Sequence, residues 1–261
     1  MNIAVLIKQV PEIELVKVNE AENKVDLPSG PGVVNPHDEY AVEEALRLRE
    51  AHQGKVSVIT FGTDKAESAL RACLALGVDE AILINDPIFE GSDQQAIGKI
   101  LAAGLKKLGE FDLVLVGKQA IDDDSAQVSG AVAGILDIPQ AMFVKKIDSI
   151  GDGKATVWRT TEEGYDVVEL TLPALISVIK EINEPRLPSL KGKMMARKSP
   201  INKWGAGDIG LDGTAVGENS YSEKVKISPP PPRQKGEMIE GETPGEIADK
   251  LYDKLKKDQL I

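Results

Sequence analysis

Residues 111–136 read FDLVLVGKQAIDDDSAQVSGAVAGIL, and this stretch decides the fold. Leu113 to Val116 is an apolar run short enough to be a buried strand, and Gly117 ends it. A polar loop follows from Lys118 to Asp124. After it comes a run dominated by small residues (Ser125, Ala126, Ser129, Gly130, Ala131, Ala133, Gly134) that predicts a helix. Asp124 or Ser125 is the natural N-cap. A strand, a turn and the positive end of a helix make a phosphate site at the C-terminal edge of a parallel sheet. The same pattern also describes a capped helix packed tightly on a sheet, and this stretch alone leaves both readings open.

Upstream, the pattern repeats. Asn2 to Ile7 reads as a buried first strand, and Lys8 to Pro11 leave it at the edge where ligands bind. Glu12 to Pro31 is polar, a hairpin-like excursion. Pro36 stands near the start of a helix with Asp38 and Glu39 in its first turn and Val42, Ala45 and Leu46 on its apolar stripe. Lys55 to Phe61 is a second strand. A helix from about Lys65 to Leu76 ends at Gly77, Glu80 to Ile84 is a third strand, and Ser92 or Asp93 caps a helix through Lys107. Strands alternating with helices of this length predict an α/β fold, a doubly wound parallel sheet flanked by helices. Past Pro139 the segments 143–147, 156–160, 167–172 and 175–179 are short and β-branched, with a turn at Gly151–Lys154. They predict a meander or an antiparallel extension of the main sheet.

From Asn183 the pattern of a domain fades, so the expected division is an α/β domain over 1–182 and a long C-terminal arm over 183–261. Arg186, Lys191, Lys193, Arg197, Lys198 and Lys203 interleave with Leu187, Leu190, Met194, Met195 and Trp204, and no acidic residue falls between Arg186 and Trp204. A basic, Met-containing segment on an acidic chain suggests a contact surface. The Pro229–Pro232 run must be extended. Pro244 to Asp258 is an amphipathic helix with Ile247, Leu251, Tyr252 and Leu255 on one face. Such an arm has too little local core and either wraps its own domain or reaches a partner.

Composition narrows the function classes. A net charge of −11 over 261 residues argues against nucleic acid or an anionic membrane as a partner. The single cysteine, Cys73, excludes internal disulfides, sits in an apolar helical pattern and suits a reducing, cytoplasmic compartment. His37 and His52 lack ligand spacing, so no metal site is expected. No run reaches the ~18 apolar residues of a membrane span, and Met1 to Val10 reads as a strand carrying a lysine rather than a leader. No catalytic constellation is visible. Asp122, Asp123 and Asp124 are adjacent in a loop and do not all face one point, so solvated or capping roles outweigh a cation site. They would repel a phosphate, which backbone N–H groups with Ser125, Gln127 or Ser129 would then have to hold. There is no GxGxxG and no GxxxxGK[ST]. Pattern alone leaves a nucleotide-binding α/β module or an enzyme whose chemistry comes from a partner or cofactor.

Five stretches carry a resemblance: NIAVLIKQV at the start, VVNPHDEYAVEEALRLRE, GKQAIDDDSAQ, TLPALISV and NEPRLPSLKGKMMARK. In this order and nearly over the full length, the chain resembles the β subunit of electron transfer flavoproteins. The resemblance implies a heterodimer with an α subunit that holds most of the FAD, while the β chain holds an adenine nucleotide. It places the nucleotide contacts on Leu6, on Asn35, Pro36, His37 and Asp38, and on Phe61. The remaining contacts fall on Gly117, Lys118, Gln119, Ala120, Ile121, Asp122, Asp123, Asp124, Ser125, Ala126, Gln127 and Val128. It also implies a docking loop over Asn183–Lys203, with Leu187, Leu190, Lys191, Lys193, Met194 and Met195 facing a partner and Leu190 as the anchor.

The expected role is that of an electron carrier. An acyl-CoA dehydrogenase or similar flavin dehydrogenase donates electrons, and a quinone-linked oxidoreductase accepts them. Within the family, Lys118 and the DDD run look like members that bind AMP. SAQV at 125–128, NPHDEYA and SLKGKMMARK look like electron-bifurcating members, which hold a second FAD there and oxidise NADH. AMP is the expected occupant and a second FAD the alternative. A stand-alone nucleotide-binding module is a further alternative, against which the long arm argues.

Overall fold

A computed structural model describes residues 1–261 except Glu20, Asn23, Lys224, Lys226, Ile227, Pro229, Pro232 and Gln234. Predominantly apolar runs become the central strands, as expected where both faces of a sheet are covered. These are β1 (Asn2–Leu6), β2 (Lys55–Phe61), β3 (Glu80–Ile84) and β4 (Leu113–Gly117). The rest of the sheet is β5 (Gln140–Gly151), β6 (Lys154–Thr160), β7 (Tyr165–Thr171), β8 (Ala174–Val178) and β9 (Asn202–Trp204). They form one nine-stranded sheet in the order β7-β6-β5-β8-β4-β1-β2-β3-β9.

The helices between the strands cover both faces. Helices α1 (Pro36–His52) and α2 (Glu67–Leu76) close one face over Val5, Val42, Leu46, Val58, Leu70 and Cys73. Helices α3 (Gln94–Leu108) and α4 (Val128–Leu136) close the other over Leu6, Ile59, Ile82, Ile100, Leu105, Val114 and Val132. The chain leaves β1 toward β2 and β3 on one side and later returns to β4 on the other. This reversal makes a topological switch point, where the ends of β1 and β4 open a crevice.

Two features depart from the sequence reading. The segment 175–179, expected in the meander, is β8, parallel to both β4 and β5, so only β6 and β7 run antiparallel to their neighbours. Its five residues are all buried, which a central strand requires and a meander edge does not. Past Asn183, where the sequence pattern fades, residues 202–204 add β9 beside β3, and the compact unit runs through Met1–Ile227. The excursion at 12–31 does contain a small antiparallel pair, Lys17–Asn19 with Lys24–Asp26. The turn at Gly151–Lys154 joins β5 to β6 with Asp152 and Gly153 both at positive φ, the conformation of a tight two-residue hairpin.

Residues 228–261 are a second unit. In it α6 (Pro244–Lys257) is capped by the Thr243 hydroxyl, which accepts from the Glu246 amide at 3.2 Å, and Lys254 pairs with Glu237 at 2.6 Å. No residue of α6 is buried; Ile247, Leu251 and Tyr252 are all exposed. Of the proline run, Pro229 and Pro232 lie outside the described residues.

Candidate functional site

A cavity of about 370 Å³ opens at the switch point. Its apolar wall is Leu6 from β1, Phe61 from the end of β2, Ile97 and Leu101 from α3, and Val116 from β4. Phe61 is held edge-on against Phe89, with ring centroids 6.0 Å apart at 76°. The polar side is Lys8, Gln9, Asn35, Asp38, Thr63 and the loop after β4.

Asn35 and Asp38 build the polar side. The Asn35 amide imitates a peptide: its Nδ2 donates to the Gln119 carbonyl at 2.9 Å and its Oδ1 accepts from the Ile121 amide at 3.2 Å. With Asn35 1% exposed, these bonds pin the loop from inside the protein. Asp38 joins the two strands of the switch point, its carboxylate accepting from the Lys8 amide at 2.7 Å and the Gly117 amide at 3.2 Å. Burial pushes this carboxyl up to about 7, against the pull of those two amides, Asn35 and the Lys8 charge. Gly117 is glycine for a local reason: a Cβ would collide with the Asp38 carboxylate and the His37 backbone.

The acidic run is partly offset by its neighbours. Lys8 Nζ pairs with Asp122 at 2.7 Å and Asp123 at 3.3 Å, and Asp124 accepts from Gln119 Nε2 at 2.6 Å. Burial would push the Asp123 carboxyl up, but the Ser125 amide and Lys8 outweigh it and hold it below its ordinary value. Neither Asp124 nor Ser125 caps α4, contrary to the sequence reading. The helix begins at Val128, with Gln127 in the cap position and no capping side chain. Asp124 and Ala126 stand at φ 51° and 52°, and this left-handed backbone delays the helix. Among the described residues, the amides of Ala126, Gln127 and Val128 have no acceptor. A left-handed residue followed by a right-handed one turns successive N–H groups to one side, making an anion nest at the positive end of α4. An uncapped helix start beside a cavity is therefore a place for a phosphate or another anion.

Of the residues expected at a nucleotide, the structure gathers Leu6, Asn35, Asp38, Phe61, Gly117, Lys118, Gln119, Ala120, Asp123 and Ser125–Val128 around this cavity. Pro36, His37, Ile121, Asp122 and Asp124 lie off its lining. Pro36 opens α1, Ile121 is bonded to Asn35, and the His37 Nδ1 is buried with no partner among the described residues. Ile97, Leu101 and Thr63 were not singled out in the sequence; only Ile97 and Leu101, four apart on the apolar stripe of α3, carried any signal.

The basic segment after Asn183 is a placed element. Arg186 clamps it to α1: Nε meets Glu43 at 2.8 Å and Nη1 meets Glu50 at 2.6 Å. Burial alone would push the Glu43 carboxyl up, but Arg186 and Arg47 hold it below its ordinary value. A short helix follows, α5 (Leu190–Ala196), whose first turn is capped by the Ser189 hydroxyl accepting from the Gly192 amide at 3.0 Å. Its polarity is inverted. The small residues Gly192 and Ala196 face α2, while Leu190 and Met194 stand 77% and 60% exposed, with Leu187 91% exposed just before them. Met195, Lys191 and Lys193 are also on the surface around it. A chain that folds alone buries its large apolar residues and exposes small ones, so a reversed helix marks a surface made for something else.

The family model described as "Electron transfer flavoprotein domain" matches residues 27–209. The chain belongs to the electron transfer flavoprotein β-subunit family. Caffeyl-CoA reductase-Etf complex subunit CarD of Acetobacterium woodii is 43% identical over 263 residues, covering all of both chains. The electron transfer flavoprotein subunit beta of Megasphaera elsdenii is 38% identical over 271 residues, again covering all of both. Protein FixA of Sinorhizobium fredii is 38% identical over 249 residues, covering 92% of this chain and 87% of its own. A flavoprotein β family sets this chain in flavin-associated electron transport. No helix among the described residues is long and apolar enough to cross a membrane.

Proposed function

We propose that this chain is the β subunit of a heterodimeric electron transfer flavoprotein and that the switch-point cavity holds an adenine nucleotide, AMP in the first reading. The observation that carries the proposal is the set of unpaired amides at Ala126–Val128, at the positive end of α4 and beside an apolar cavity. The residues fit the group. Leu6, Phe61, Ile97 and Leu101 offer an apolar wall to the base, and the amides of the nest receive the phosphate. Lys8 offsets part of the nearby negative charge, and Asn35 fixes the loop.

FAD, held mainly by an α subunit, supplies the redox chemistry. This chain makes and breaks no bond through its own side chains. It contributes the nucleotide site, part of the wall beside the flavin, and the docking surface at Leu187, Leu190, Met194 and Met195. In this reading electrons come from an acyl-CoA dehydrogenase or similar flavin dehydrogenase and pass to a quinone-linked acceptor, in the cytoplasm. In this reading the compact unit of Met1–Ile227 carries both the nucleotide and the docking segment, and α6 beyond it wraps the partner.

A second reading has a specific support. CarD is named as a subunit of a reductase–Etf complex, which favours a bifurcating role with a second FAD in the cavity and NADH as reductant. Denaturing the purified heterodimer and chromatographing the released nucleotides separates the two. FAD with an equal amount of AMP supports the carrier. FAD at twice the heterodimer concentration, with no AMP, supports the bifurcating enzyme. FAD at the heterodimer concentration with no second nucleotide refutes the cavity assignment.

A further inference from the structure

We infer that Arg71 is a positioning residue for partner docking: with the seat that Gly192 finds on α2, it holds the docking helix α5 in its binding orientation before a partner arrives. The inference rests on the docking role proposed above for Leu190 and its neighbours. A seven-residue helix has too few internal hydrogen bonds to persist alone, so its order comes from outside it. Three fixtures supply that order. Ser189 caps the first turn. At the other end Arg71 Nη1 donates to the Ala196 carbonyl at 2.6 Å and the Ser199 carbonyl at 2.5 Å. The Met195 carbonyl is already taken by the Lys198 and Ser199 amides, so Arg71 reaches carbonyls that the helix leaves open, and it brings a positive charge to the negative end.

The third fixture is steric. A Cβ on Gly192 would strike the Ala75 carbonyl oxygen near the end of α2, so only glycine lets the two backbones approach this closely. Ala196, four residues on and on the same face, is buried in the core. The exposed face of α5 has nothing of its own to hold it. Leu190 and Met194 keep a common direction only because the opposite face is fixed. Without Arg71 a smaller fraction of molecules presents the apolar face, and the apparent affinity for a partner falls by that fraction. Arg71 does not line the nucleotide cavity, so the redox centre and the cavity are left as they are.

The test uses the whole heterodimer, with an acyl-CoA dehydrogenase from the same organism and butyryl-CoA as reductant. Arg71→Ala is expected to raise the KM for the heterodimer about tenfold, the scale of one lost charge-assisted hydrogen bond, with kcat unchanged. Arg71→Lys keeps a charged donor and should recover most of the loss. Gly192→Ala should move KM in the same direction as Arg71→Ala. In Arg71→Ala the amides of residues 189–199 should exchange hydrogen faster, while the released nucleotides stay the same. If Leu190→Ala raises KM and Arg71→Ala does not, the positioning role is overturned and the docking surface stands. If Leu190→Ala also leaves KM unchanged, the docking surface itself fails and takes this inference with it. A fall in kcat together with loss of nucleotide in both Arg71 variants would mark a general folding defect and also overturn the inference.

Discussion

Asp38 should impose an unusual pH dependence on stability. Its carboxyl titrates at about 7 in the folded chain against an ordinary 3.8, because burial outweighs the amides of Lys8 and Gly117. Between those values the folded state binds a proton that the unfolded state has released. Unfolding free energy therefore falls as pH rises through this window and is flat on either side of it. The interval corresponds to ~4 kcal/mol at about 1.36 kcal/mol per tenfold change in proton concentration. Other carboxyls, Glu43 and Asp123 among them, are held below their ordinary values and work in the opposite sense at lower pH, so the contribution is isolated by difference. Asp38→Asn removes the titration. Its amide oxygen can satisfy one of the two backbone donors while its NH₂ group faces the other, an offset of about 1–3 kcal/mol that does not vary with pH. Urea midpoints of wild type and Asp38→Asn at half-unit steps from pH 4.5 to 8 give the difference. Wild type should lose ~3 kcal/mol relative to the variant as pH rises across this range, which starts inside the window. A difference that stays constant would mean that Asp38 is ionised throughout, with the two amides outweighing burial.

Other expectations follow from single residues. Ala126→Gly should stabilise the chain by about 1 kcal/mol, since glycine takes the φ of 52° without the Cβ penalty; a lower thermal midpoint would contradict this. Arg186→Ala leaves Glu43 buried with only Arg47 for company and should cost about 2 kcal/mol in denaturant titrations, less than for a fully buried pair because Arg186 is partly exposed. The Arg186–Glu43 contribution should be present above the ordinary Glu43 value of 4.5 and fade as pH falls through its lowered folded value. Leu190→Ala should change stability by less than ~0.5 kcal/mol, because the side chain is exposed, while weakening reduction by the dehydrogenase; a large loss of stability would place Leu190 in the fold rather than at an interface.

The legible parts of the sequence were those governed by local pattern. Val114 and Leu115 sit in an unbroken apolar run because β4 is covered on both faces, and the same holds for β1 and β3, while β2 buries Ser57 and Thr60 among its apolar residues. Gly77 and Asp93 announced helix ends through chemistry that acts within one turn. The misread parts depend on distant residues. Asn202–Trp204 has no strand pattern of its own and becomes β9 only because β3 offers it an edge. Ala126 carries no sign of a left-handed backbone, so the local pattern points to a cap at Asp124 or Ser125 that α4 does not have. The cavity wall joins Leu6, Phe61 and Leu101 across three crossovers, which no spacing along the chain reveals. The helix α5 has no legible signature because it reverses the usual pattern, with glycine and alanine inside and leucine and methionine outside.

Helix α1 is a single rod of 17 residues, about 25 Å long at 1.5 Å per residue. Its first turn carries Asp38, which ties the strand ends at the cavity, and further along Glu43 and Glu50 grip Arg186. The two duties share one stiff body, so they cannot drift apart by independent small changes. A substitution that tilts the rod, at Val42 or Leu46 for example, would disturb the cavity and the anchored segment in the same stroke. If α5 receives the electron donor as proposed, a lineage changing that donor would find its variation beyond Arg186, in the residues that α5 displays, and would leave the rod alone.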